Sequence, residues 1–108
     1  MSLFLYFNEN LKPDKEQEAI NLLKSQGYTE HTACEGSYLH EERCIISLGF
    51  DRKLIQYNIN EIDLTKYLKD VQRTIDELRR ICNITHYQTD FDAPVPEELN
   101  LEGLLKKE

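Results

Sequence analysis

The sequence predicts an α+β domain, and three observations carry that prediction. Two stretches, Asp14 to Gln26 and Asn60 to Cys82, place apolar residues at helical spacing. Several short runs between and around them have the apolar, β-branched and aromatic character of strands. Their order along the chain is strand, helix, two or three strands, helix, strand.

The first run, Ser2-Leu-Phe-Leu-Tyr-Phe7, is apolar on both alternating faces, with Leu3, Leu5 and Phe7 on one and Phe4 and Tyr6 on the other. A strand of that kind belongs inside a sheet and not at its edge. Asn8 to Asn10 and Pro13 stop it. Asp14 and Gln17 have the spacing of a capping box, Ala19, Ile20, Leu22 and Leu23 form the apolar stripe of a helix, and Gly27 sits where a left-handed residue ends one.

Tyr28 to Cys34 reads as a weak strand and Gly36-Ser37 as a turn. Arg43 to Phe50 alternates clearly, with Cys44, Ile46, Leu48 and Phe50 on one side. Leu54 to Ile59 alternates again, so the two runs form a hairpin, although Asp51-Arg52 is a poor turn pair. Cap-type residues from Asn60 to Asp63 then open the longest helix, whose stripe is Leu64, Leu68, Val71, Ile75, Leu78 and Cys82. Its outer face pairs opposite charges four apart: Lys66 with Asp70, Arg73 with Glu77, Asp76 with Arg80. Ile84 to Thr89 is a last strand.

This order is that of a ferredoxin-like antiparallel sheet of four or five strands, with two helices on one face. The domain is placed at residues 1–89, and residues 90–108 form an acidic C-terminal tail containing Pro94 and Pro96, docked on the domain as a lid or engaged by a partner. The expected core is Leu3, Leu5, Phe7, Ile20, Leu23, Ile46, Leu48, Ile55, Tyr57, Leu68, Val71, Ile75 and Leu78.

With 108 residues, one core is expected. Thirteen basic against twenty acidic residues give a net charge of −7, which repels phosphate backbones and argues against nucleic-acid binding. The three cysteines, Cys34, Cys44 and Cys82, have no disulfide-like spacing, and no export signal or membrane-length apolar run is present, so a cytoplasmic protein with reduced thiols is expected.

Site signals are sparse. His31, Cys34, His40 and Cys44 could in principle surround zinc, but Cys44 shares its alternation with Ile46 and Leu48, so it reads as core and no metal is expected. Arg79 and Arg80 could clamp an anion, though cations also suit a helix C-terminus. His86 completes the weak ligand-binding candidates. No catalytic residue is assigned, and the glycines form no phosphate-binding motif, so no cofactor is expected.

The function that fits best is a small acidic, non-enzymatic interaction domain that regulates or neutralises a basic protein, such as a nuclease, toxin or defence protein. Its contacts would be Glu41, Glu42, Asp90, Asp92, Glu97 and Glu98, with Leu99 and Leu104 as apolar anchors. The alternatives are a small-molecule-binding or enzymatic domain with a pocket between sheet and tail, and a structural homo-oligomer subunit, for instance a homodimer.

Overall fold

The computed structural model describes residues 2–31, 35–40, 44–90, 99, 101 and 105–106. In chain order the elements are β1 (Ser2–Phe7), α1 (Pro13–Ser25), β2 (Thr29–Glu30), β3 (Ser37–His40), β4 (Cys44–Gly49), β5 (Leu54–Ile59), α2 (Glu61–Lys66), α3 (Leu68–Cys82), β6 (Ile84–Thr89) and β7 (Leu105–Lys106). The strands form one sheet in the order β2-β3-β4-β5-β1-β6-β7. Six are antiparallel to their neighbours, and β7 joins β6 in parallel, with Leu105 opposite His86.

The fold class is α+β, as the sequence predicts, but the element count differs. Six antiparallel strands and three helices stand where four or five and two were expected. The difference in strands arises in the region read as a weak strand and a turn. Among the described residues there, Thr29 and Glu30 pair, while the segment after Gly36 turns into β3 and pairs with β4 from Ser37↔Ser47 to His40↔Cys44. Gly36 itself, at φ +80°, makes that turn.

The long helix is two helices. Asn60 caps the first, its Oδ1 accepting the Asp63 N–H at 2.7 Å. The helix is interrupted at Tyr67 (φ −110°, ψ 29°), although Tyr67 N–H still reaches Asp63 O and Val71 N–H reaches Tyr67 O. The Asp14/Gln17 capping box does not form. Pro13 occupies the first helical turn, its fixed φ suiting a helix start, and Lys12 becomes the cap residue without a side-chain bond. Gly27 ends α1 at φ +89°, as its position suggested, and a Cβ there would lie 3.2 Å from His40 Nε2. The charged pairs on α3 form three residues apart, Arg73 with Asp70 and Arg80 with Glu77, where four was expected.

Cα partners in an antiparallel ladder project to the same side, which sorts the sheet into two faces. Leu3, Leu5 and Phe7 of β1 lie with Ile55 and Tyr57 of β5, Ile46 and Leu48 of β4, and Tyr38 of β3. All are buried in one core with Ala19 and Leu23 of α1 and Val71, Ile75 and Leu78 of α3. Ile20 and Leu68, also expected there, are half-buried against it. The opposite face carries Phe4 and Tyr6 with Leu54, Gln56 and Asn58, none of them part of that core.

The hairpin between β4 and β5 pairs Gly49 with Leu54, so its loop is four residues long. A 3₁₀ turn at Phe50–Arg52 is followed by Lys53 in the left-handed region (φ 56°), which is how Asp51-Arg52 is accommodated. Near the other end of β1, Asp90 Oδ1 accepts the Ser2 N–H while Asp90 N–H donates to Ser2 O at 3.1 Å. Leu99 and Leu101 are buried in the core at 4 % and 9 % exposure. Among the described residues, no helix is long and apolar enough to cross a membrane.

Candidate functional site

The end of α1, the start of α3, and the ends of β3, β4 and β5 meet around a cavity of about 200 Å³. Its floor is a buried polar cluster. Tyr57 continues the apolar alternation of β5, Cys44 opens β4, and Tyr28 follows Gly27 out of α1. All three side chains therefore point under the helices. Tyr28 Oη lies 3.0 Å from Tyr57 Oη and 3.2 Å from Cys44 Sγ. The His40 ring meets Tyr28 edge-on at 5.0 Å between centroids.

Helical residues form the walls. Thr74, buried on α3, brings its Oγ1 to 2.7 Å from Gln26 Oε1 and so ties α3 to the end of α1. Val71 and Ile59 supply apolar wall, and Tyr67, at the junction of α2 and α3, stands at the margin with the Asp70–Arg73 ion pair (3.3 Å).

Burial drives the ionisation behaviour of this region. It raises the Tyr57 phenol far above the ordinary tyrosine value, and the neighbouring Tyr28 and Cys44 add to the effect. Tyr57 is accordingly a neutral hydroxyl that can donate or accept, never a phenolate. Elsewhere on α3, burial pushes the Cys82 thiol from 9.0 up to about 12, with the charge of Glu18 contributing. A thiol held that high does not serve as a nucleophile at neutral pH.

The Cys82 shift has a consequence for stability. The thiol keeps its proton longer in the folded state than in the unfolded one. Its contribution is therefore complete below pH 9 and is lost as pH rises from about 9 to about 12. Denaturant titrations should show the wild-type protein losing up to ~1 kcal/mol per pH unit more across that window than Cys82→Ala does. Parallel slopes for the two proteins would remove Cys82 from the account.

Of the metal candidates, His40 and Cys44 are opposite one another in the ladder and both border the cavity. The His31 N–H donates to Ser37 O at 2.8 Å, and Cys34 lies outside the described residues. Among the described residues no three of His, Cys, Asp and Glu converge as a metal set.

Arg79 and Arg80 occupy the last turn of α3, away from the cavity. Arg80 bonds Glu77 at 2.8 Å and approaches Glu18 at 3.7 Å, which braces α3 against α1. His86 lies on the face opposite the helices, its Nδ1 2.7 Å from Thr85 Oγ1.

Of the proposed partner contacts, Glu41, Glu42, Asp92, Glu97, Glu98 and Leu104 lie outside the described residues. Asp90 is engaged with Ser2, and the Leu99 side chain is inside the molecule.

The sequence reading placed Tyr57 in the core and overlooked Tyr28, Gln26, Tyr67 and Thr74. No local pattern announces them, because their association is made by the packing of α1 and α3 on the sheet. The chain matches no family model, no curated protein and no solved structure.

Proposed function

We propose that this chain is a non-enzymatic binding domain whose cavity takes a small aromatic molecule bearing a hydrogen-bonding group. We further infer that β6-β1-β5-β4 with α1 and α3 is a ferredoxin-like frame, to which β2 and β3 are added at one flank and β7 at the other. That frame hosts many functions, so the reading rests on the site. The observation that carries it is the Tyr28–Tyr57–Cys44 cluster at the floor of a cavity of about 200 Å³.

Small molecules bind in concave spaces where polar groups converge beside apolar wall, and this one sets Ile59, Val71 and the rings of Tyr57 and Tyr67 beside Gln26, His40 and Thr74. Cavities of roughly 150 Å³ accept benzene, so this one suits a single substituted ring. The neutral Tyr57 hydroxyl on the floor, beside that of Tyr28, favours a neutral phenol, amide or indole over an anion. The described residues support a pocket between sheet and helices, in place of one between sheet and tail. Of the carboxylates named for an acidic partner surface only Asp90 is described, and it is engaged with Ser2.

The test uses p-cresol and indole as probes, with thermal unfolding as the readout. Binding at ten times the dissociation constant stabilises by about 1.4 kcal/mol, a shift of several degrees for a domain of this size. Ile59→Phe, which fills the cavity, should abolish the shift, and Tyr57→Phe should reduce it for p-cresol. If millimolar concentrations of both probes leave the wild-type midpoint unmoved, the pocket is not a binding site.

A further inference from the structure

The sheet face opposite the helices has an unusual composition for this chain. Charged residues make up 31 % of the sequence, and the solvent side of an antiparallel sheet is where they are ordinarily placed. Yet the ladder registers put no carboxylate, amine or guanidinium on this face in β1, β3, β4, β5 or β6, and its one imidazole in those strands is His86, opposite Tyr6. Its centre is Phe4 flanked by Gln56 and Gln88, with Tyr6 and Leu54 on one side and Asn58 on the other. These aromatic and aliphatic groups lie outside the core cluster.

The polar groups are held along the face. Gln56 Nε2 donates to Asn58 Oδ1 at 3.2 Å and to Ser2 Oγ at 3.3 Å, and Tyr6 Oη donates to Gln88 Oε1 at 3.2 Å. Side chains already held lose little freedom on docking.

We propose that this face, free of carboxylates, amines and guanidinium groups, docks against the same face of a second copy, forming a two-fold dimer. The charge balance selects that occupant. Each chain carries −7, so two copies repel unless they meet where like charges are not juxtaposed, and this face meets that condition. Amide side chains carry both donor and acceptor, so Gln56, Asn58 and Gln88 can satisfy their own counterparts across a two-fold axis. A basic partner would find no carboxylate to pair with here.

The size of the face sets the strength. Five strands ~4.8 Å apart and about 17 Å long offer on the order of 400 Å² per copy, about 800 Å² buried in all. That is small for a specific interface, so the dissociation constant should be micromolar or weaker, with dimer accumulating only as concentration rises.

Sedimentation velocity over low to high micromolar protein tests this, on wild type, Gln56→Glu and a control, Glu16→Gln on α1. The expected result is a concentration-dependent dimer for wild type and the control, persisting in high salt, and at least a tenfold weaker one for Gln56→Glu. Circular dichroism establishes that the variant is folded. Amide NMR of wild type across the same range gives a second reading that needs no substitution, with shifts expected at Phe4, Tyr6, Gln56 and Gln88. A monomer throughout, a dimer unaffected by Gln56→Glu, or shifts confined to the helices would each overturn the proposal. The pocket is independent of all three outcomes.

Discussion

Ile75→Ala is expected to lower the free energy of unfolding by about 2–4 kcal/mol, with Val71→Ala producing a smaller loss because fewer carbons are removed. Ile75 is fully buried and Val71 nearly so, on the side of α3 that rests on the sheet. Truncation there removes apolar area from the core and leaves a void that close-packed neighbours fill only partly. A domain of this size has only ~5–15 kcal/mol to lose, so the urea midpoint should fall visibly. Val71 also borders the cavity beneath the helices, so its truncation enlarges an existing space, which is a second reason for the smaller cost. Midpoints unchanged in both variants would mean that the stripe does not face the core.

Leu99→Ala should cost about 2–3 kcal/mol, a large effect for a residue so near the C-terminus. Terminal segments usually tolerate such changes because they are loosely held. Leu99, at 4 % exposure in the same core as Ile75 and Leu78, is an exception. Leu101→Ala, at 9 % exposure, should act in the same direction. Equilibrium unfolding separates the two roles open to Leu99. A core residue lowers stability in the isolated protein, while a partner anchor changes nothing until the partner is present. An unaltered midpoint for Leu99→Ala would return it to the surface and to the partner-binding candidates.

What the sequence disclosed follows from how local each signal is. The bounds of β6 coincide with the predicted Ile84 to Thr89, and β1 lies inside the sheet as its two apolar faces require. The stripe from Leu64 to Cys82 is buried but for the half-buried Leu68, because periodicity over five turns outweighs any one residue. The interruption at Tyr67 was not legible, since neither Pro nor Gly marks it. β3 was hidden because Ser-Tyr-Leu-His is too short to show an alternation, and its pairing with β4 is what makes it a strand. The same limit applies to the site. Tyr28, Cys44 and Tyr57 are separated by many residues, and only the closing of the sheet under α1 and α3 brings their polar atoms together.

The two flanks of the sheet have a consequence for how the protein behaves when crowded. β2 at one end and β7 at the other are each two residues long. Open strand edges are templates on which further chains can add by backbone hydrogen bonding, the route to fibrils, and very short outer strands are a recognised way of blunting them. An incoming strand adding to β2 or to β7 would find two residues of ladder there, too few to repay the ordering of a free chain. Sideways growth by strand addition on β2 or β7 is thereby disfavoured.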